Sequence, residues 1–104
     1  MNRIKTNNSI KYFLNSKTIQ EFCKKHNIKY LSLFGSYARG DRRGDSDVDF
    51  IVKFKNKVSI INIIEAEMEL GDILNKKVQF VEKEIIPKEL KESIDREKVV
   101  IYEK

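Results

Sequence analysis

Two short apolar runs enclose a polar, glycine-containing segment, and this arrangement restricts the fold more than any other feature of the chain. The first run, Tyr30–Phe34, ends at Gly35, which predicts a buried strand that enters a tight turn. The second run, Asp47–Lys55, alternates charged and apolar residues at its two ends and predicts another strand. Between them, residues Ser36–Ser46 are polar and charged, which predicts a loop or a short helix followed by a loop.

The second predicted strand carries a pair of carboxylates. Asp47 and Asp49 are two residues apart, so both point to one face while Val48 and Phe50 point to the other, into the core. Neighbouring carboxylates repel each other unless a proton or a cation compensates their charge. Mg²⁺ prefers carboxylate, phosphate and water oxygens as ligands. The pair therefore predicts a site for a divalent metal.

The turn after the first strand has the chemistry of a phosphate site. Gly35 lets the backbone approach a ligand closely, and free N–H groups at the start of a helix attract phosphate. Ser36 adds a hydroxyl donor. A phosphate site beside a metal site is the arrangement that assists phosphoryl and nucleotidyl transfer.

Three arginines in the segment between the two strands are candidates for contacts with a triphosphate or a leaving pyrophosphate. A guanidinium group binds phosphate oxygens through paired hydrogen bonds. The alternative is that these arginines are ordinary exposed charges that keep the protein in solution. The three residues are Arg39, Arg42 and Arg43.

Helices are predicted in three further places. Thr18 and Glu21 have the spacing of a capping box, for a helix that ends near His26 with Asn27 as its cap. Ser59 is placed to cap a helix over Ile60–Asn75. The residues of this second helix that we expect to be buried are Ile60, Ile63, Ile64, Met68 and Leu70. A third helix is predicted to follow Pro87 and to end near Glu97, and a short helical turn is predicted over Ser9–Leu14.

Two more strands, Lys77–Glu82 and Val99–Glu103, complete the pattern. The order of elements predicts an α/β (α+β) fold in which helices pack on a sheet, and 104 residues suffice for a single domain over residues 1–104. The lone Cys23 is expected to be a small core residue, because one cysteine forms neither a disulfide nor a metal-binding pattern. His26 is expected to be a helix-end residue without a further role.

Composition narrows the possible partners. The net charge of +5 favours anionic ones, such as nucleotides, nucleic acid or an acidic protein surface. No apolar run reaches the roughly 20 residues that span a bilayer, and the first residues, MNRIKTNN, lack the apolar core of a signal peptide. We therefore expect a cytoplasmic protein that does not act on a membrane.

The string LFGSYARGDRRGDSDVDFIV resembles the minimal nucleotidyltransferase family of the DNA polymerase beta superfamily. The family signature is Gly-Ser, ten residues, and Asp-x-Asp, and Gly35-Ser36, Tyr37–Ser46 and Asp47-Val48-Asp49 match it. The similarity covers most of the chain. It extends to the segment IQEFCKKHNIKYLSLFGS, which is similar to the family's opening helix and strand, and to the closing segment Pro87–Tyr102.

The resemblance implies a nucleotidyltransferase fold, a mixed sheet of about four strands flanked by helices. It implies Asp47 and Asp49 as catalytic and metal-binding residues, and Gly35, Ser36 and Arg39 as nucleotide-binding residues. It further implies ATP as substrate and Mg²⁺ as cofactor, with two ions when ATP is bound. Small members are commonly antitoxins that transfer AMP to a tyrosine of a HEPN-domain ribonuclease toxin, so a HEPN-type protein is the implied partner and nucleic acid is not expected as a direct substrate.

One position departs from the family pattern. The family has a third carboxylate in a later strand, and Gln79 stands at the matching position within the phrase KVQFV. Three alternatives follow: a slow enzyme, a substitute carboxylate such as Glu65 or Glu82, or an antitoxin that binds nucleotide and masks its toxin without catalysis. Strand alternation argues against Glu82, which should face away from Gln79. A further hypothesis, transfer to nucleic-acid ends or small hydroxyl compounds, is weakened because superfamily members of that kind carry additional domains.

Overall fold

The structure is a computed structural model that describes Leu14, residues 16–40 and residues 47–104. Its helices are α1 (Lys17–Lys25), α2 (Ser36–Arg39), α3 (Ile60–Leu74) and α4 (Lys88–Glu97). Its strands are β1 (Ile28–Phe34), β2 (Val48–Phe54), β3 (Val78–Glu82) and β4 (Val99–Glu103), and a 3₁₀ turn, Lys83–Ile85, connects β3 to α4. None of the helices in this part of the chain is long and apolar enough to cross a membrane.

The strands form one mixed sheet in the order β3-β2-β1-β4. β1 pairs antiparallel with both β2 and β4, whereas β2 and β3 run parallel. The predicted fold, a mixed sheet of four strands flanked by helices, is confirmed. In the register of the sheet Asp49 lies opposite Phe34 on one side and opposite Gln79 on the other. Strand β2 therefore brings the Gly35–Ser36 turn, the carboxylate pair and Gln79, the position that departs from the family pattern, to one end of the sheet.

The core is built on the alternation that the sequence predicts for β2. Val48, Phe50 and Val52 are all fully buried, and α1, α2 and α3 pack side chains against them in one continuous cluster. Cys23 is a buried member of that cluster, as expected for a small core residue. Leu14 also belongs to it, while the remainder of the turn predicted over Ser9–Leu14 lies outside the described residues.

The predicted start of α1 is wrong by two residues. Ser16 is the N-cap and makes no side-chain capping hydrogen bond, so Thr18 is already the second residue of the helix and the capping box does not form. At the other end Asn27 takes the left-handed conformation, with φ of 57°, directly after the C-cap His26. The helix thus ends as predicted even though it begins earlier.

The predicted burial of α3 is correct for only part of the helix. Ser59 caps it as expected, because its side chain accepts a hydrogen bond from the Asn62 backbone N–H. The residues fully buried against the sheet are Ala66 and Leu70, four positions apart. By contrast the residues predicted to be buried that lie exposed are Ile60 (72%), Ile64 (46%) and Met68 (65%). These three also recur every four residues, which places them together on the opposite side of the helix.

Candidate active site

The Gly35–Ser36 turn lies directly against the carboxylate of Asp49. The antiparallel pairing of Phe34 with Asp49 places the end of β1 beside the start of β2. Gly35 has φ of 78°, and a Cβ atom added to it would lie 2.7 Å from Asp49 Oδ2. A side chain at Gly35 would therefore be strained by the backbone and would collide with the carboxylate. The two halves of the motif, separated in sequence, share one surface.

A four-residue helix, α2, holds the turn in place. Gly35 is its N-cap and Gly40, with φ of 86°, is its C-cap. Tyr37 is 1% exposed and belongs to the hydrophobic core, so it anchors α2 against the sheet. Ser36, the first residue of α2, is partly exposed at the end of the sheet that carries the carboxylate pair. The predicted short helix after β1 is thus present, and a buried tyrosine fixes it.

Asp47 and Asp49 are both partly exposed at the start of β2. Burial raises the pKa of the Asp49 carboxyl above its usual value of 3.8, and the nearby negative charge of Asp47 raises this pKa further. Neither carboxylate forms an ion pair with another described residue. Two adjacent carboxylates that form no ion pair with a described basic residue have the chemistry of a binding site for a divalent cation.

Gln79 lies beside this carboxylate pair. It is the register partner of Asp49 across the parallel β2–β3 pairing, and its Nε2 donates a hydrogen bond to Asp47 Oδ2 over 2.9 Å. No group of three or more His, Cys, Asp or Glu side chains among the described residues is arranged to hold a metal ion. Within that part of the chain, Glu65 and Glu82 therefore do not complete the site. A metal here would take two carboxylates together with oxygens from the nucleotide and from water.

The predicted arginines have separate outcomes. The Nη1 atom of Arg39 lies 3.5 Å from Glu97 Oε1, an ion pair that connects α2 to the last residue of α4. Both side chains are 43% exposed, so the pair contributes little to stability in water. Arg42 and Arg43 lie outside the described residues. The phosphate-binding role of all three arginines stays a prediction.

Two residues that support the candidate site were not predicted from the sequence. Glu97 is the partner of Arg39, and Glu67 accepts a 2.7 Å hydrogen bond at Oε2 from the Phe80 backbone N–H. The second contact holds the edge strand β3 to α3 one residue from Gln79. Neither contact has a local signal in the sequence, because each joins elements that only the fold brings together.

Comparison with known proteins identifies the family. Residues 17–104 match the family model described as polymerase beta, nucleotidyltransferase. A Methanocaldococcus jannaschii protein classed as a candidate protein adenylyltransferase is 33% identical over 99 residues, covering 94% of this chain and all of the relative. The protein adenylyltransferase MntA of Thermococcus cleftensis is 32% identical over 82 residues, covering 79% of this chain and 83% of the relative.

Solved structures share the fold at lower identity. A candidate minimal nucleotidyltransferase superposes with a TM-score of 0.76 at 23% identity, over 94% of this chain and 98% of that one. A toxin–antitoxin with AMP-PNP gives 0.68 at 20% identity, over 83% and 71%. The complex of a tri-AMPylated Shewanella oneidensis HEPN toxin with an MNT antitoxin gives 0.65 at 17% identity, over 90% and 73%. The chain therefore belongs to the polymerase beta nucleotidyltransferase family, among relatives that are named protein adenylyltransferases.

Proposed function

We propose that this protein transfers AMP from ATP to a hydroxyl group, that of a tyrosine, on a partner HEPN-type toxin, and thereby acts as an antitoxin. The observation that carries the proposal is the contact between Gly35 and Asp49, where an added Cβ would lie 2.7 Å from the carboxylate. That contact joins a turn suited to phosphate with a carboxylate pair suited to a divalent metal. Relatives named protein adenylyltransferases support the choice of a protein as the acceptor.

Each side of the proposed site has a separate task. Gly35 and the hydroxyl of Ser36 bind the phosphates of ATP, while Asp47 and Asp49 hold Mg²⁺. When bound, Mg²⁺ neutralises the phosphate charge and the charge that develops on the leaving pyrophosphate. Helix α2 and the β1–β2 pairing hold the proposed site residues in position.

The proposed reaction is an in-line displacement at the α-phosphorus of ATP. The acceptor oxygen forms a new bond to this phosphorus, and the bond from the α-phosphorus to the oxygen that bridges to the β-phosphorus breaks. Pyrophosphate leaves with that electron pair, and the hydroxyl proton passes to water. Positioning and charge compensation, rather than covalent chemistry by the protein, supply the rate enhancement.

Gln79 limits the rate of this reaction. A carboxamide does not accept a proton at neutral pH, and here its nitrogen donates a hydrogen bond to Asp47. General-base assistance contributes about 10²–10⁴-fold to the rate of reactions that use it. We therefore expect turnover that is slow and that increases as the acceptor hydroxyl ionises at higher pH.

A second candidate function is an antitoxin that binds nucleotide and masks its toxin without catalysis. Gln79 is the observation that favours it, because the described residues supply two carboxylates to the site and an amide that is hydrogen-bonded to one of them, Asp47. Masking requires a surface for the partner and does not require Asp47 or Asp49.

Labelling of the purified cognate HEPN-type protein with ATP radiolabelled at the α-phosphate tests the two functions together. AMP transfer predicts label on the HEPN-type protein that depends on Mg²⁺ and is lost in the Asp47→Ala/Asp49→Ala variant. Glu92→Ala, which removes an exposed carboxylate of α4, is the matched control and should label normally. If no metal condition yields label while the double variant still neutralises toxicity, masking is the function and transfer is wrong.

A further inference from the structure

The helix α3 is apolar on two opposite sides. Ala66 and Leu70 are fully buried against the sheet. The outer side carries four large aliphatic side chains that are 46–72% exposed, which we call the α3 stripe: Ile60, Ile61, Ile64 and Met68. At 100° per residue they fall within one sector of about 100°, the width of a helix face that normally packs against another element. A contiguous exposed patch of this kind marks an interaction surface.

The α3 stripe leads to the end of the sheet that carries the candidate active site. At its C-terminal end, Met68 lines a surface groove of about 500 Å³ that runs past Gly71 and Asp72 to Lys77 and Val78 at the start of β3. The next residue in β3 is Gln79, which contacts Asp47. Val78 is the register partner of Val48 and points into the core, whereas Gln79 and Asp49 point to the other face of the sheet. A partner that packs along the stripe and enters this groove would therefore reach the end of the sheet that carries the carboxylate pair, from the opposite face.

The charge on α3 indicates the kind of partner. In a chain of net charge +5, this helix contains four acidic residues and no basic one: Glu65, Glu67, Glu69 and Asp72. Glu67 bonds to the Phe80 N–H, and Glu69 is paired with Lys25 and His26. The other two, which follow the stripe along its outer edge, form no ion pair with another described residue.

A second copy of the chain fits the α3 stripe poorly. A twofold packing of the stripe on itself would bring Glu65 and Asp72 of one copy against the same carboxylates of the other, and like charges at an interface oppose association. Basic side chains beside an apolar surface would pair with these carboxylates instead. Charge complementarity thus selects a partner of a different sequence.

We propose that the α3 stripe and its adjoining groove form the docking site for an amphipathic helix of the partner protein that supplies the acceptor hydroxyl. The occupant has aliphatic or aromatic residues on one side, recurring at helical spacing, flanked by lysine or arginine that faces Glu65 and Asp72. This inference rests on the proposed function for the identity of the partner. It adds the surface through which that partner is held while its hydroxyl reaches the site.

The test compares Ile64→Lys/Met68→Lys with Ile85→Lys in the full chain. Lysine preserves helix propensity, and it repels a basic partner while removing apolar surface. Ile85 is a large aliphatic residue that is 68% exposed, but it belongs to the 3₁₀ turn after β3 and not to α3, so it is the matched control. Binding to the purified cognate HEPN-type protein is measured by calorimetry, together with AMP labelling and Mg²⁺–ATP binding.

The stripe variant should lose at least about tenfold in affinity for the HEPN-type protein and a similar factor in labelling, as expected for central interface residues. Its Mg²⁺–ATP binding and circular dichroism should match the parent chain, and Ile85→Lys should bind the partner normally. Glu65→Gln/Asp72→Asn should weaken binding and reduce its dependence on salt concentration.

Unchanged partner binding by the stripe variant would overturn the docking site while leaving the proposed transfer intact. Stripe-dependent binding without labelling would support the docking site and contradict the transfer. If light scattering shows that the chain alone is a dimer and that Ile64→Lys/Met68→Lys makes it a monomer, a second copy occupies the stripe and our proposal is wrong.

Discussion

Gln79 Nε2 donates a 2.9 Å hydrogen bond to Asp47 Oδ2, so a neutral amide stands beside the carboxylate pair of the candidate active site. The bond orients Asp47 from the neighbouring strand, because the parallel β2–β3 pairing sets Gln79 opposite Asp49. With an amide at this position, the described residues supply two carboxylates here rather than three. Gln79 thus connects the geometry of the site with its expected rate.

Replacing Gln79 by aspartate should increase Mg²⁺ affinity and the rate of AMP transfer. The added carboxylate offers the metal a charged oxygen and the acceptor hydroxyl a proton acceptor, an effect of about 10²–10⁴-fold where general bases act. The measurement is the initial rate of labelling against Mg²⁺ concentration, with Gln79→Asn as the control that keeps the site neutral. A slower Gln79→Asp enzyme would show that the amide itself is required.

Gly35→Ala should destabilise the protein and weaken Mg²⁺–ATP binding. A positive φ of this kind costs a residue with a side chain about 1–3 kcal/mol, and the new Cβ would meet Asp49 Oδ2 at 2.7 Å. Urea unfolding measures the first effect and calorimetric titration the second.

Gly40→Ala is the control for this substitution, because Gly40 also has a positive φ but sits at the opposite end of α2. It should lower stability and leave nucleotide binding unchanged. Equal loss of nucleotide binding in both variants would mean that backbone strain, rather than the contact with Asp49, explains the result.

The sheet was predictable from the sequence because its strands have clear signals. Alternation in β2 predicts which side chains are buried, and apolar runs predict β1 and β4 within two residues of their observed bounds. The outer face of α3 was not predictable, since Ile60 and Met68 have the same hydrophobicity as core residues. A single sequence does not distinguish an apolar residue that packs against the sheet from one that packs against a partner protein.

The candidate site, like the fold, was predictable from the sequence only in part. Gly35, Ser36, Asp47 and Asp49 were predicted as site residues from residue types and strand periodicity, and the fold places the turn against the Asp49 carboxylate. The pairing of Arg39 with Glu97 depends on how α4 packs, which no local pattern encodes.

Asp49→Asn should raise the free energy of unfolding at pH 7 by up to about 1 kcal/mol, because it removes a carboxylate whose ionised form is disfavoured by burial and by Asp47. The pKa of Asp49 is raised on folding, so the native state binds its proton more tightly than the unfolded state. The stability of the parent chain contributed by this group therefore falls as pH rises from the ordinary value of 3.8 through the raised pKa.

Urea unfolding across this pH range measures the difference between Asp49→Asn and the parent chain. The difference in the free energy of unfolding should increase as pH rises through the raised pKa of Asp49 and then stay constant. A lower stability of Asp49→Asn at pH 7 would contradict the charge argument.

Cys23 should be unreactive toward a maleimide in the folded protein. Burial raises the pKa of its thiol to about 12, so the reactive thiolate is scarce at neutral pH, and the side chain is fully buried. Labelling measured by mass spectrometry should become rapid only in denaturing urea. Rapid labelling of the native protein at pH 7.5 would mean that the core around α1 opens readily.

AMP transfer is measured most directly by the intact mass of the purified cognate HEPN-type protein after incubation with this chain, ATP and Mg²⁺. We predict that it gains the mass of one or more AMP groups, and that the gain disappears with the Asp47→Ala/Asp49→Ala variant and with EDTA. An unchanged mass, in the presence of a chain that demonstrably binds both Mg²⁺–ATP and the HEPN-type protein, would contradict AMP transfer by this chain.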